Sequence, residues 1–279
     1  MGQSVSDLLN LTIRKFECAK IDNAHKEAQM LLCFVLRKTL QCLMCHGDEI
    51  IDNTDVVKVN RFVTRRLNSE PLAYIFGKWE FCGLELFVDK NTLIPRVETE
   101  MLVNIAEKTI GRSTNLKIYD VGCGSGAISV ALGSIISGNE IIGFDIFPKA
   151  LRIARKNIIK FDLTKRVRLQ KSNLLDKAKR PADIIIANLP YVPSGDCQGL
   201  ADPKIALDGG KDGLEIITKL LKQIHERKLI KPNGIILLEI GFNQAEKVCA
   251  LSKELFNNPK ITVHKDLANF DRIVQINLP

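Results

Sequence analysis

The stretch that most constrains this chain is Ala182-Asp-Ile-Ile-Ile-Ala187, in which five of six residues are apolar and three are isoleucine. A short, continuous, β-branched run of this kind reads as a strand buried on both faces. Burial on both faces calls for helices above and below, which means a parallel sheet inside an α/β fold. The run stops at Asn188-Leu189-Pro190-Tyr191. Open α/β sheets bind ligands at the carboxyl ends of such strands. Asn188 offers a carbonyl acceptor and an amide donor, Pro190 biases Leu189 towards an extended backbone, and Tyr191 adds a flat face with a polar tip. Together they can grip a planar, hydrogen-bonding group.

The flanking pattern agrees. From Leu116 onward, candidate strands at 116–121, 140–145, 166–171, 182–187 and 234–240 alternate with candidate helices near 126–137, 148–161, 213–229 and 243–256. Two last strands, about 260–264 and 272–277, have no room between them for a crossover helix and should pair as an antiparallel hairpin. Residues 1 to about 70 read instead as a small helical bundle. Its helices keep Val5, Leu8, Leu9, Thr12 and Phe16, then Ala24, Ala28, Leu31, Leu32 and Val35, then Val56, Val59, Phe62 and Val63 on their inner faces. Ser4 with Asp7 resembles a capping box, and Asp22 is placed to cap the second helix. Lys78 to Val88 alternates about Gly83 as a β-hairpin would, and Thr92 to Glu100 leads into a further helix. The expected organisation is a helical domain over 1–72, a β-hairpin linker over 73–98 and an α/β domain over 99–279.

Ile118-Tyr-Asp120-Val-Gly122-Cys123-Gly124-Ser125-Gly126-Ala127 is a strand, a glycine-rich turn and a helix start. The glycines let backbone turn sharply and approach a ligand. The spacing also fits the dinucleotide fingerprint, a weak signal by itself. Two acids shift the choice. Asp120 beside the loop suits a ligand with an ammonium group and repels a pyrophosphate. Asp145, nineteen residues after Gly126, ends the next strand where it can accept from both ribose hydroxyls. The pair fits S-adenosylmethionine better than NAD. After the third strand, Asn173 is placed to read an adenine edge and Leu174 to pack on its face, although Asn173 also suits a plain turn. Methyl transfer needs a nucleophile held about 3 Å from the methyl group on the sulfonium axis. Asn188 Oδ1 and the Leu189 carbonyl are two acceptors able to hold the N–H groups of an amide or amine there.

Composition narrows the class further. With 279 residues, 46% hydrophobic content and mean hydropathy +0.03, the chain is globular. No apolar run reaches the roughly 18 residues of a membrane span. The first twenty residues carry Asp7 and Glu17 and no continuous apolar core, so a cytoplasmic protein without a secretory signal is expected, with a processed organellar form left open. Eight cysteines are scattered, with Cys42-Leu-Met-Cys45 the only CxxC. They read as reduced and mostly buried, with no metal site. Net charge is +8, and residues 149–180 hold twelve Lys or Arg against Asp162 and Asp176. That run reads as a solvated basic face or as a surface for RNA or a ribosome-associated partner.

With Asn188-Leu189-Pro190-Tyr191 as its signature, the chain resembles the protein-glutamine N5-methyltransferases that modify peptide-chain release factors. The resemblance also rests on Glu70-Pro71-Leu-Ala73-Tyr74, Leu93-Ile-Pro95-Arg96 with Glu98-Thr-Glu100, Asp120 to Gly126, Ala206 to Leu214, Leu238-Glu239-Ile-Gly241, and Lys265-Asp266 with Asp271-Arg272. It implies a Rossmann-like seven-stranded methyltransferase domain, S-adenosyl-L-methionine as methyl donor and no metal. The implied substrate is the glutamine of the Gly-Gly-Gln motif in class-1 release factors, engaged by the N-terminal helical domain. Asn188 and the Leu189 carbonyl would hold the side-chain amide, with Pro190 and Tyr191 beside it. The cofactor would take Asp120, Gly122, Cys123, Gly124, Ser125, Gly126, Asp145, Asn173, Leu174 and Asn188. A monomer that needs neither membrane nor nucleic acid is expected. Leu189 replaces the family's first proline, and Asn173 stands where an Asp is common. The alternatives are an adenine-N6 or guanine-N2 nucleic-acid methyltransferase, which shares the signature, and a non-catalytic S-adenosylmethionine-binding scaffold.

Overall fold

Where the apolar period changes from helical to alternating, the chain divides into two compact units, Met1–Gly77 and Lys78–Pro279. The computed structural model describes residues 2–199 and 201–279. The first unit holds α1 (Val5–Cys18), α2 (Ala24–Leu36), α3 (Leu40–Cys45), α4 (Asn53–Leu67) and α5 (Leu72–Phe76). The inner faces expected from the spacing close around Phe16, Leu31, Leu32, Val59 and Phe62. Ser4 and Asp7 form a reciprocal capping box at the start of α1. Asp22 does not cap α2. That helix starts after Asn23, whose left-handed backbone makes no side-chain cap. Helices α3 and α5, each of six residues or fewer, have too few turns to show a period in the sequence.

The second unit begins with the hairpin β1 (Lys78–Phe81) and β2 (Leu84–Phe87). Its turn residues Cys82 and Gly83 both have positive φ, as the tightest hairpin turns require. Phe81 and Leu86 are buried against α6 (Val97–Ile110) and the sheet, so the stretch expected to be a linker is a packed element of this unit.

The sheet follows: β3 (Lys117–Val121), α7 (Ala127–Ile135), β4 (Glu140–Asp145), α8 (Pro148–Lys160), β5 (Val167–Lys171), β6 (Ala182–Ala187), α9 (Glu215–Glu226), β7 (Ile230–Glu239), α10 (Ala245–Leu255), β8 (Lys260–Lys265) and β9 (Asp271–Asn277). The spatial order is β5-β4-β3-β6-β7-β9-β8. The five strands from β5 to β7 are parallel, and β9 runs antiparallel to both β7 and β8. One core lies on each face of the sheet. Tyr119, Ile185 and Leu238 point to one, Ile118, Ile184 and Leu237 to the other. The alternation explains why consecutive residues Ile184, Ile185 and Ile186 of β6 are all apolar.

The basic run covers the edge of the sheet, along the solvent face of α8 and strand β5, and eleven of its twelve cations are exposed. Only Lys160 and Arg168 of these make ion pairs among the described residues, with Glu85 and Glu140. All eight cysteines are free, yet only Cys123 and Cys197 are buried, fewer than expected. Among the described residues, no cluster of His, Cys, Asp and Glu could hold a metal ion, and no helix is long and apolar enough to cross a membrane.

Candidate active site

Strand register builds the site. Val121 pairs with both Ala187 and Phe144, and Asp145 pairs with Lys171. The residues that leave the sheet at its carboxyl edge therefore stand in a row: Ser172–Asn173, Asp145, Gly122, Asn188. Chain order reverses between β3 and β6, which makes this edge the topological switch point. A cavity of about 520 Å³ opens there, within the roughly 300–1,000 Å³ usual for small-molecule sites. Gly122, Gly124, Asp145, Asn173, Leu174, Asn188, Leu189 and Pro190 line it.

The glycine loop is fastened from below. The amides of Gly122 and Cys123 both donate to the Phe144 carbonyl, and Gly124 donates to Asp145 Oδ2 at 2.8 Å. Gly122 has φ +75°, and a Cβ there would lie 2.8 Å from Leu189 Cδ2. Leu189 is thus a packing partner of the loop and fills the space over its first glycine. Gly126 has another use, because a Cβ would meet Ala154 at 3.1 Å and push α7 from α8.

The two acids part company. Asp145 lines the cavity, and its oxygens accept from Gly124 and Phe147 amides at 2.8 Å each. Each carboxylate oxygen has a further lone pair for a ligand hydroxyl. Burial raises its pKa, and those amides oppose the shift. Asp120 was expected beside the ligand but is fully buried beneath the loop, the side chains of Cys123 and Ser125 are buried within the loop itself, and Gly126 faces α8. The Ser129 amide and hydroxyl, in the first turns of α7, draw Asp120 Oδ2 inward at 3.0 and 2.6 Å. Burial pushes its carboxyl up to about 6, and Oδ1 has no hydrogen-bond partner among the described residues. Asp120 can act on a ligand through its charge and through the loop it supports.

On the other side, Asn188 Nδ2 donates to Thr99 Oγ1 at 2.9 Å, which leaves Oδ1 as the acceptor. The Tyr191 hydroxyl donates to Glu239 Oε1 at 3.2 Å. Burial pushes that phenol up, so Tyr191 is a neutral donor. The Ala206–Leu214 block buttresses this loop: Val192 donates to Leu207 and Gly209 to Val192. A Cβ on Gly209 would lie 2.6–2.8 Å from Gly213 O, Pro190 O and Tyr191 Cα. Such an approach leaves room only for glycine.

Arg96, Glu98 and Glu100, close together in the sequence, go to different places. Arg96 pairs with Asp202, whose Oδ1 also accepts the Ile94 amide at 3.0 Å. This fastens the 91–96 segment to the 202–206 segment, and both contribute lining residues. Glu100 instead accepts the Cys82 amide at 2.8 Å and holds the hairpin, while Glu98 is exposed. Sequence reasoning assigned no role to Thr99, Glu239, Asp202 or Asn157. Asn157 ties β2 to the glycine loop by accepting from Phe87 and donating to Phe87 and Ser125 carbonyls. Glu239 alone carried a usable signal, as a carboxylate ending a buried parallel strand.

The donor set fits an adenosine-bearing ligand, with a carboxylate for hydroxyls, apolar walls from Leu174 and Phe147, and bare glycine backbone. Fold and cavity together define the Rossmann-like, S-adenosylmethionine-dependent methyltransferase class. Residues 112–275 match the methyltransferase domain family, and residues 7–77 match the PrmC N-terminal domain family. A release factor glutamine methyltransferase of Clostridium botulinum is 35% identical over 266 residues, which cover 92% of this chain and 93% of that protein. A bifunctional methyltransferase of Rickettsia typhi is 31% identical over 301 residues, 99% of this chain but 58% of that protein. The chain thus spans little more than half the length of the bifunctional relatives. A Pyrococcus furiosus methyltransferase shares the fold at TM-score 0.53 and 18% identity, over 70% of this chain and 89% of that one. A T. thermophilus 16S rRNA methyltransferase, solved with AdoMet and guanosine, does so at TM-score 0.52 and 15% identity, over 72% of this chain and 50% of that one. This chain belongs to the release factor glutamine methyltransferase family.

Proposed function

We propose that the protein transfers a methyl group from S-adenosylmethionine to the side-chain amide nitrogen (N5) of the glutamine in the Gly-Gly-Gln motif of class-1 peptide-chain release factors, in support of translation termination. The cofactor supplies an electrophilic methyl group on a sulfonium. Asp145 and Asn173 would hold its nucleoside hydroxyls and adenine edge, with Leu174 against the ring and the Gly122–Gly126 backbone along the remainder.

On the substrate side, Asn188 Oδ1 and the Leu189 carbonyl accept the two N–H groups of the glutamine amide. Both are uncharged acceptors, so they fix the nitrogen and offset positive charge as it develops there. The charged nitrogen loses its proton after transfer, so no residue has to remove it beforehand. Leu189 in place of a proline leaves this carbonyl available. Residues 1–72 are assigned to recognition of the release factor, on the strength of their match to the PrmC N-terminal domain family. The protein acts as a monomer in the cytoplasm, with no requirement for nucleic acid.

One observation carries the reading: the Asn188 amide nitrogen is engaged by Thr99, so its oxygen is left for a ligand N–H at the cavity. The test uses labelled S-adenosylmethionine with a release factor, its Gln→Ala loop variant, and rRNA or DNA in separate reactions. Label on the wild-type factor alone is the expected result. Label on nucleic acid alone overturns the proposal.

A further inference from the structure

The row of residues at the carboxyl edge of the sheet does not stop at Asn188. Glu239 at the end of β7 pairs with Ile273, and Lys265 at the end of β8 pairs with Asp271 at the start of β9. The segment after β7 and the 266–270 turn between β8 and β9 therefore leave the sheet at the edge that carries the cavity. They lie on the side of Asn188 away from Asp145. Three large apolar side chains stand in solvent there: Phe242 is 61% exposed, Phe270 is 51% exposed and Leu267 is fully exposed. The Phe242 and Phe270 rings meet edge to face, with centroids 5.7 Å apart. None of the three lines the cavity.

Single apolar residues on a surface need no explanation. These differ because the chain fixes the segments that carry them. The Asp266 side chain is only 11% exposed, and its Oδ1 accepts from the Ala268 and Phe270 amides at 3.0 Å each. Its Oδ2 accepts from Arg272 Nη2 at 3.0 Å, and Arg272 Nη1 donates to the Ile240 carbonyl at 3.4 Å. One carboxylate thus closes the turn, and Arg272 joins it to the end of β7. The Phe242 segment is tied to the loop after β6 in turn. Gln244 accepts the Gly241 amide at 2.8 Å and donates to the Tyr191 carbonyl at 2.9 Å. An apolar surface ordered in advance loses little freedom when a partner covers it.

We propose that Phe242, Phe270 and Leu267 form a docking surface for the protein substrate, taking apolar side chains of the release factor outside its Gly-Gly-Gln loop. The inference rests on the function proposed above. Continuity with the transfer site selects the occupant. The methyl donor takes the edge from β5 to β3, and the amide is gripped at the tip of β6. Polypeptide that leaves the amide on the side away from the donor then crosses the ends of β7, β9 and β8. Charge argues for a protein as well. The cations of these two segments, Lys247, Lys265 and Arg272, each face an aspartate, Asp212, Asp271 and Asp266. Little free positive charge is left there for a phosphate backbone, which nucleic-acid binding depends on.

The test compares the full wild-type chain with a Phe242→Ser, Phe270→Ser double variant and with Leu267→Ser. Ile159→Ser serves as control, since Ile159 on α8 is as exposed as Phe242. KM for the release factor should rise at least about tenfold in the double variant and about threefold in Leu267→Ser, the scale of losing buried apolar anchors. The kcat at saturating factor and KM for S-adenosylmethionine should stay within about threefold, because a contact away from the reacting atoms acts equally on ground and transition states. The control should keep the wild-type KM, and thermal midpoints should match throughout, since every altered side chain is exposed. Titration calorimetry of the factor against protein loaded with S-adenosylhomocysteine reads the same loss without turnover. If wild type modifies the factor and the double variant keeps its KM and affinity, the docking surface is wrong and the function stands. A wild-type dimer in sedimentation velocity that dissociates in the double variant gives the patch to a second copy of this chain and overturns the proposal. If wild type modifies no factor, the function is wrong and calorimetry decides the surface: equal affinity in wild type and double variant, or none in either, overturns it.

Discussion

The Asn188 amide nitrogen donates to the Thr99 hydroxyl oxygen at 2.9 Å, and this bond decides which end of the amide a ligand meets. The partners are 89 residues apart, joined because the first turn of α6 reaches the tip of β6. Replacement of Asn188 by Ala removes the acceptor without touching the glycine loop. The expected outcome is a fall in kcat of at least about a hundredfold, as seen when one preorganised group at a developing charge is lost. Cofactor affinity by titration calorimetry should stay within a few-fold.

Gly209 tests the buttress of that loop. Its Cβ position lies 2.6–2.8 Å from three backbone groups, which cannot swing aside as a side chain does. Gly209→Ala should destabilise the protein by about 1–3 kcal/mol or more, the usual cost of overpacking. Thermal or urea unfolding would show it, and turnover should fall with the displaced Tyr191 backbone.

Much of this was legible in the sequence, and the division follows range. Strands β4 and β6 and the second half of β7 could be read because a strand covered on both faces is largely apolar, and the glycine loop because sharp backbone turns need glycine. Asn188-Leu189-Pro190-Tyr191 stood out as polar punctuation after such a strand. What stayed hidden depends on partners far along the chain. Thr99 looks like an ordinary helix residue until Asn188 is placed beside it. Gly209 looks like a turn until Pro190 and Tyr191 come within a Cβ's reach. Asp120 was read as facing the ligand because sequence places it beside the loop. Nothing local shows Ser129 drawing it beneath. The hairpin over 78–87 looked like a connector because its partners lie far along the chain, as Asn157, which accepts the Phe87 amide, lies 70 residues away.

Asp120 gives a pH prediction. Its folded-state pKa of about 6 exceeds the ordinary value of 3.8, so between these values the native protein binds more protons than the unfolded chain. Stability from this group is then fully present below the unfolded value of 3.8 and is lost as pH rises from there through about 6. The loss is on the order of 3 kcal/mol at 1.36 kcal/mol per unit. Asp52, Asp208 and Asp266, whose pKa values are lowered, pull the other way in the acid range. The quantity to measure is therefore the unfolding free-energy difference between wild type and Asp120→Asn from pH 4.5 to 7.5. It should shift in favour of the variant as pH rises; a difference independent of pH would contradict the assignment.

Asp202 joins the two segments at the mouth of the cavity. Asp202→Ala frees the Ile94 amide and the Arg96 guanidinium together. S-adenosylmethionine affinity should fall by about tenfold, for the loss of one buried acceptor at roughly 1–3 kcal/mol. The change should appear in the dissociation rate by stopped-flow, and kcat at saturating cofactor should change little.

The central claim is that this loop presents a protein amide to the methyl donor. Its most direct test is peptide mass spectrometry of a class-1 release factor after incubation with the protein and S-adenosylmethionine. The expected result is one added methyl group on the side chain of the Gly-Gly-Gln glutamine, absent with Asn188→Ala. A methyl group on any other residue of the factor, or its appearance with Asn188→Ala at the wild-type rate, would contradict the account.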